Sequence, residues 1–325
     1  MGAVEVEGCR LSLGCSTASE AGCSREGEGD AEASQAQPAA GTLPDLALLL
    51  IFKYVAAYNL DDAVSAGQVC RHWRRVARSA ELWRHLRLRG HGLATQAFTR
   101  VVAFAPRLRA LDVCWIHQVS PQDRAVRKAA LLGSRCKLTC LTGVMCHRDP
   151  QWAHRLLALH GPHLRELEVS TADRGALEAI GVMPHLRVLQ VSGWDAELLD
   201  QPVVFPADGG PTRLETLEVR GLPRSTTTSM LRACRGSLRS LQLGVGTSCA
   251  HASAPAPDPD PWPRTCQDLT QVLQDCSLIE LRELILYRFV GCYHTMSECA
   301  QQRNSLQQSL RFCKIKCSDC SPYNL

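Results

Sequence analysis

A short leucine pattern that recurs along most of the chain constrains the fold more than any other feature. The sextet Leu-x-x-Leu-x-(Val/Leu) occurs six times, and a weaker copy, Leu138-x-x-Leu141, breaks down after its second leucine. The six sextets begin at Leu108, Leu164, Leu186, Leu214, Leu238 and Leu281. With the weaker copy included, successive first leucines are 30, 26, 22, 28, 24 and 43 residues apart. One sextet arises easily by chance, but a series at this spacing indicates a repeated structural unit.

The spacing, apart from the last, is close to the 20–29 residues of a leucine-rich repeat, which packs a short parallel strand against a helix or turn. Helical stretches lie between the sextets, for example at residues 152–160 and 229–234, and each ends at a glycine or proline before the next strand. The sequence therefore predicts an α/β fold, in which residues 91–290 form a solenoid of irregular leucine-rich repeats with parallel strands.

The turns after the strands are where irregularity is expected. Regular repeats usually have Asn or Cys three residues after the last strand leucine, where the side chain bonds the backbone of the turn. The corresponding positions here are Ile116, Ala172, Trp194, Leu222, Gly246 and Phe289. This departure predicts poorly matched turns.

Three segments lie outside the pattern. Residues 1–41 are rich in Gly, Ser, Ala and Glu, and we expect them to be disordered because they cannot offset the entropy of ordering. Residues 250–265 are predicted to be a Pro-rich loop that leaves the solenoid, since a proline at every second position fits neither a helix nor a central strand. These prolines are Pro255, Pro257, Pro259, Pro261 and Pro263. Residues 291–325 form a Cys-rich tail that we expect to be poorly structured.

The composition limits the function classes. The 17 cysteines are odd in number and scattered, and the first thirty residues have no apolar signal region, so we expect reduced thiols and a cytoplasmic or nuclear protein. No window approaches the ~18 apolar residues of a membrane span. The phosphate-binding, nucleophile-elbow, zinc-protease and dinucleotide motifs are all absent from the sequence, and we expect no catalytic residue, no cofactor and no membrane partner.

Residues 42–90 are predicted to be a small all-α module. Thr42 is a candidate N-cap with Pro44 in the first turn, and Leu48 and Phe52 lie on one face of the helix that follows. Further leucines at 46, 49 and 50 make this helix apolar almost all round. A module of about 47 residues cannot cover such a helix on every side, so a partner is expected.

The motifs of this module resemble an F-box from residue 43 to about residue 89. Leu-Pro opens it, Ile-Phe lies in the first helix, Val-Cys-Arg-x-Trp-Arg follows, and Leu-Trp-Arg closes it, in the usual order and at the usual distances. An F-box followed by irregular leucine-rich repeats resembles the F-box/LRR family. The resemblance implies that the following residues dock on the Skp adaptor: Leu43, Pro44, Ile51, Phe52, Val69, Cys70, Trp73, Leu82 and Trp83. The two tryptophans also fit a plain role in the core of the module.

The same resemblance implies a non-catalytic function. In this family the F-box binds the Skp adaptor of a cullin–RING ubiquitin ligase, and the repeats select a protein substrate. The hypothesis is therefore a substrate receptor with the Skp adaptor, a cullin scaffold and an unknown protein substrate as partners. The alternative is a leucine-rich-repeat interaction scaffold that never enters a ligase.

A substrate surface is predicted on the concave side of the solenoid, where the third and fifth residues of each sextet face outward. Five of these residues are acidic and none is basic: Asp112, Glu166, Glu168, Glu218 and Glu283. Arg occupies the second sextet position in five repeats, at the rim. We expect this face to prefer a substrate segment that carries Lys or Arg. The alternative is a solvated surface on which Arg and Glu neutralise each other.

Two further features have competing interpretations. The tail offers Cys313, Cys317 and Cys320, with Cys292, His294 and Cys299 upstream. Four such ligands could hold zinc, but a lone C-x-x-C lacks the second pair of a typical zinc motif. We therefore expect free thiols and no metal. Seven arginines between residues 71 and 91 provide the best case for nucleic acid, yet they lack interleaved aromatic residues, so a solvated face of the F-box is preferred and no nucleic acid is expected.

Overall fold

Every leucine sextet forms a strand of one parallel sheet, and each strand is hydrogen-bonded to the next one in the chain. The computed structural model describes residues 43–58, 60–84, 87–89, 93–105, 108–170, 172–193, 202–206, 213–247, 262–288 and 294–320. Within these residues the sheet has nine strands in the order β1 to β9. Their bounds are Arg87–Arg89, Ala110–Asp112, Cys140–Met145, Glu166–Ser170, Val188–Ser192, Thr216–Arg220, Ser240–Gly244, Glu283–Tyr287 and Lys314–Cys317. The predicted α/β class with parallel strands is confirmed.

Alternate residues of each strand face opposite sides of the sheet, so the side chains of one set pack together in the core. In β5, Leu189 and Val191 are buried while Gln190 is exposed between them. The register aligns the buried leucines of successive strands, so that Leu167, Leu189 and Leu217 are Cα partners in β4, β5 and β6. Each buried leucine contributes about 1.5–3 kcal/mol relative to an exposed one. The repeated pattern therefore builds one continuous inner layer.

Helices return the chain from the end of one strand to the start of the next, as parallel strands require. The helices of the described residues, α1 to α11, have these bounds: Asp45–Tyr58, Leu60–Ala66, Arg71–Ala77, Ala80–Arg84, Thr95–Phe104, Pro121–Leu132, Pro150–His160, Arg174–Gly181, Arg224–Ala233, Leu269–Asp275 and Met296–Ser309. Asp149 and Asp173 cap α7 and α8 by accepting hydrogen bonds from backbone N–H groups three residues on, at 3.1 and 2.8 Å. These caps fix where each return helix begins.

The turns after the strands are better matched than the sequence predicts. Ile116, Ala172 and Leu222 stand where Asn or Cys is usual, and all three are buried in the core. Backbone bonds between neighbouring turns replace the missing side-chain bonds: the Ala172 N–H donates to Ser192 O at 2.6 Å, and the Gly193 N–H donates to Arg220 O at 3.0 Å. The expectation of poorly matched turns is wrong at these positions. Burial of the apolar side chain and backbone hydrogen bonds stabilise the turn in place of the usual asparagine side chain.

The weaker leucine copy forms β3, and its irregularity has a local cause. The register between β3 and β4 shifts between Leu141 and Val144, which is the mark of a bulge. Gly143 lies in this bulge with φ of 72°, and a Cβ there would come within 2.6 Å of Cys114 and 2.7 Å of Asp112. Only glycine fits, because the conformation is left-handed and the neighbouring turn is close.

The N-terminal module consists of α1 to α4 and shares its core with the array. Phe52 of α1 meets Trp73 of α3 edge-on, with ring centroids 5.8 Å apart. The indole N–H of Trp83 donates to Ala77 O at 2.7 Å. The buried side chains run without a break from Leu48 in α1 through the strands to Leu306 in α11. The predicted boundary near residue 90 is therefore a change of architecture within one hydrophobic core.

The C-terminal segment corrects the prediction of a poorly structured tail from residue 291. Residues 296–309 form α11, and β9 pairs in parallel with β8, with Leu284 opposite Ile315 and Leu286 opposite Cys317. Leu306 is fully buried. This strand was not predicted because its sequence, Lys-Ile-Lys-Cys, lacks the leucine pattern. Strand β9 forms by pairing with the edge of β8, which would otherwise be open.

Two other predictions fall wholly or partly outside the described residues. The N-terminal segment 1–41 lies outside them, as does most of the Pro-rich loop 250–265. The described end of this Pro-rich loop packs against the core: Trp262 is buried, and the Trp262 indole N–H donates to Leu222 O at 3.0 Å. Among the helices that the structure describes, none combines the length and the hydropathy that crossing a bilayer requires.

Candidate functional site

The N-terminal module exposes one apolar side of α1. Leu46, Leu50 and Tyr54 follow one another at intervals of four residues and therefore line the same side of the helix. Their exposed fractions are 69, 57 and 66 %. Ile51, next to this line, is also exposed. We call these four residues the α1 surface. The prediction that the chain itself does not cover all of this helix is thus confirmed for the residues that the structure describes.

The nine predicted docking residues divide into two groups. Leu43, Pro44, Ile51, Val69 and Cys70 are exposed, and Trp73 is partly buried. Phe52, Leu82 and Trp83 are at most 2 % exposed and pack into the core, and docking by these three residues stays a prediction. Position within the motif did not separate these groups, since the helix is apolar on nearly every side. Leu46, Leu50 and Tyr54 are exposed on the same helix but are not among the predicted docking residues, for the same reason.

Charged groups lie on the same module as the α1 surface. Asp45 at the start of α1 accepts from the Arg75 guanidinium at 3.0 Å and lies 3.3 Å from His72 Nε2. Lys53 Nζ lies 4.0 Å from Glu81. A polar margin around an apolar centre is the usual composition of a protein–protein interface. These contacts also tie α1 to α3 and α4.

The sheet face that the sequence predicts to be concave has two rows of side chains, each fixed by the strand register. Glu166 of β4 is the Cα partner of Val188, and the row continues through Thr216 and Ser240 to Glu283. The second row runs from Glu168 through Gln190, Glu218 and Gln242 to Ile285. Asp112 lies in β2, opposite Thr142 of β3. The structure thus brings the five predicted acidic residues to one face, as the alternation of the strands requires.

Basic side chains offset part of this acidity. Glu218 forms an ion pair with Arg220, whose guanidinium lies 4.0 Å above the ring of Tyr287. Lys316 Nζ lies 2.7 Å from Glu283 Oε1, and this hydrogen bond raises the pKa of Lys316. At the rim, Arg187 lies 3.5 Å from Glu215. None of the third and fifth sextet positions is basic, but β9, which lacks the sextet, adds Lys314 and Lys316 at the C-terminal end of this face.

A third group of side chains, with atoms that can ligate a metal, lies at the C-terminal end of the array. His294, Cys299, Cys317 and Cys320 have their ligand atoms within 4.8 Å of one another. We call them the His–Cys cluster. The Cys299 thiol donates to Cys317 and, with the backbone N–H groups of Cys320 and Asp319, lowers the pKa of Cys317 despite its burial. The sequence contains all four residues in its Cys-rich tail but predicts no metal there, because their spacing gives no sign that β9 brings them together.

Comparison with known proteins identifies the N-terminal module only. Residues 40–89 match the family model described as F-box-like. No curated protein matches the chain. The match covers α1 to α4 and β1, and F-box domains typically bind the Skp adaptor. The F-box resemblance of residues 43–89 is thereby confirmed, and it points to a role in ubiquitin ligase complexes.

Proposed function

We propose that this protein is the substrate receptor of a Skp–cullin–F-box ubiquitin ligase. In this proposal the F-box-like domain docks on the Skp adaptor, which joins it to the cullin, and the strand–helix array acts as leucine-rich repeats that bind a protein substrate. The receptor itself is non-catalytic. The observation that carries the proposal is the α1 surface, an exposed apolar line on a domain whose family binds this adaptor.

The α1 surface has the properties of a binding surface. Three large apolar side chains exposed on one side of one helix form a contiguous patch, whereas scattered single residues would need no explanation. Covering each of them contributes roughly 1.5–3 kcal/mol to association. Tyr54 adds an aromatic side chain, the type most often found among the residues that dominate interface energies. Pro44 and Val69 of the same domain are also exposed.

The proposed mechanism is proximity. The adaptor and cullin hold the array near a charged ubiquitin-conjugating enzyme, which raises the effective concentration of substrate lysines at the thioester. The receptor has only five lysines, at positions 53, 128, 137, 314 and 316, so few of its own side chains compete for ubiquitin. The scattered cysteines support placing this complex in the cytoplasm or nucleus.

Substrate selection is proposed to occur on the concave face between β2 and β6. Asp112, Glu166 and Glu168 lie there, while the lysines of β9, Lys314 and Lys316, lie at the other end of the sheet. Acidity is therefore concentrated in the first half of the face. Complementary charge raises association rates and selects among partners. A substrate segment rich in Lys or Arg fits this half of the face.

The rival function is an interaction scaffold outside any ligase. It uses the same array but makes no use of adaptor binding. The two are distinguished by expressing tagged full-length chain in cells and measuring whether the Skp adaptor and the cullin co-purify in stoichiometric amounts. The test variant is Leu50→Asp/Tyr54→Asp, which places two charges on the α1 surface. The expected result is recovery of both partners with wild type and at least a tenfold loss with the variant.

The matched control is Val126→Asp/Leu159→Asp. Both control residues are exposed apolar side chains on array helices, α6 and α7, so they make the same chemical change away from the F-box. The control should recover adaptor and cullin as wild type does. A folded wild-type chain that recovers neither partner refutes the ligase proposal and favours the scaffold.

A further inference from the structure

The His–Cys cluster is assembled by two separate elements with well-defined ends. His294 precedes α11, and Thr295 caps that helix: its hydroxyl accepts from the Glu298 N–H at 3.3 Å, while its own N–H donates to the Glu298 carboxylate at 3.2 Å. This reciprocal cap fixes Cys299 in the first turn. Parallel pairing with Leu286 places Cys317 at the end of β9, and a tight turn brings Cys320 back beside it.

The distances suit a small ion. Cys320 Sγ lies 3.0 Å and Cys317 Sγ 3.8 Å from His294 Nε2, and all four ligand atoms are within 4.8 Å of one another. In a tetrahedral zinc site with Zn–S bonds of about 2.3 Å, neighbouring sulfur atoms are about 3.8 Å apart. Closing the cluster around an ion therefore requires shifts of about 1 Å or less.

Ordinary packing does not account for three thiols together. Buried cysteines often serve as small apolar residues. Cys136 and Cys234 do so here, each set in the leucine core with its thiol donating to a backbone carbonyl at 3.2 Å. Cys299, Cys317 and Cys320, by contrast, form a buried cluster of their own, separate from that core. Three thiols also cannot all be used by disulfides among themselves.

The charge around the cluster is complementary to a thiolate site. Three thiolates and a neutral imidazole on a divalent ion carry a net charge of −1. Arg288 is 7 % exposed and bonds neutral oxygens, the carbonyl of Val245 and the amide of Gln302. Within the described residues it forms no ion pair with a carboxylate. Its guanidinium is also a hydrogen-bonding neighbour of the Cys299 thiol. A buried cation of this kind needs an anionic neighbour.

We propose that His294, Cys299, Cys317 and Cys320 form a tetrahedral zinc site that closes the C-terminal end of the array. Three thiolates and one imidazole are a ligand set of structural zinc sites, and soft thiolates favour zinc over calcium or magnesium. Binding releases three thiol protons and leaves the oxidation states of metal and sulfur unchanged. The ion joins the start of α11 to the end of β9, so it fastens the last strand of the sheet.

The test is the metal content of the full-length chain purified under reducing conditions without chelator. We expect about one zinc per chain in wild type and in Cys313→Ser, and at least a tenfold loss in Cys299→Ser and Cys320→Ser. Cys313 is the matched control, since it is buried in the same segment but lies outside the cluster. His294→Ala covers the case in which a buried substitution prevents folding, because His294 is only partly buried. It should also lose zinc while the chain stays folded.

Cobalt provides the second measurement. Reduced wild-type chain should bind one Co²⁺ with the intense visible bands and the thiolate charge-transfer band of a tetrahedral sulfur-rich site, and zinc should displace it. Folded wild type with less than a tenth of an equivalent of zinc and no such cobalt spectrum overturns the proposal. A disulfide between Cys317 and Cys320 in protein purified under reducing conditions also overturns the proposal. Equal zinc content in Cys313→Ser and Cys320→Ser does so too.

Discussion

His160 shows how a single buried side chain makes the array sensitive to pH. It ends α7, it is 1 % exposed, and neither ring nitrogen has a hydrogen-bond partner among the described residues. Burial, together with the charge of His163, lowers the pKa of His160 to about 4. An unfolded histidine titrates near 6.5, so between these two values the unfolded state binds a proton that the folded state does not. Stability is therefore lost as the pH falls from about 6.5 towards 4.

The corresponding prediction concerns the pH dependence of the free energy of unfolding. From pH 7 to pH 5 the titration of His160 should cost the wild type about 2 kcal/mol, while His160→Met should lack this part of the loss. Methionine fills the buried space without a titrating group. Urea unfolding of both proteins at the two pH values measures the difference. Parallel losses in wild type and variant would show that His160 is not the cause.

Single residues also mark the limit of what the sequence reveals. The strand leucines were predictable because a period of two fixes which side of a sheet each residue faces. The predicted docking residues were harder to assign from the sequence. Ile51 and Phe52 are neighbours in one motif, yet Ile51 is exposed and Phe52 is buried. In a helix that is apolar all round, only the packing of the other helices decides which side stays uncovered.

At the level of elements, β9 is the largest departure from the sequence prediction. Its residues Lys314–Cys317 do not carry the leucine pattern, and its position depends on the free edge of β8. The His–Cys cluster and the lysines of the concave face were missed with it, because both follow from that pairing. A strand that is defined by its neighbour, and not by its own residues, leaves no periodic signal in the sequence.

The importance of these last elements can be tested by truncation. A chain that ends at residue 293 lacks α11 and β9, which leaves the edge of β8 unpaired and removes the buried Leu306. Because an open edge with an apolar underside promotes association, we expect this chain to aggregate. Light scattering after size-exclusion chromatography measures it, with a chain that ends at residue 320 as the control. A monomeric, folded chain ending at residue 293 would show that α11 and β9 are dispensable.

The molecule as a whole places its two proposed binding surfaces on one continuous core. The core runs from Leu48 in α1 to Leu306 in α11. Because interiors are close-packed, the F-box-like domain and the array should behave as one body and not as two domains on a linker. In the proposed function, such a single body holds the substrate at a fixed position relative to the adaptor, which transfer by proximity requires.

The most direct test of the central claim is the affinity of the purified full-length chain for the purified Skp adaptor, measured by isothermal titration calorimetry. We predict saturable one-to-one binding by wild type and by Glu166→Lys/Glu168→Lys, whose changes lie on the concave face. Leu50→Asp/Tyr54→Asp should bind about 100-fold more weakly or not at all, a loss of about 2.7 kcal/mol. A folded wild-type chain without measurable affinity, or equal affinity of the Leu50→Asp/Tyr54→Asp chain, would contradict the account.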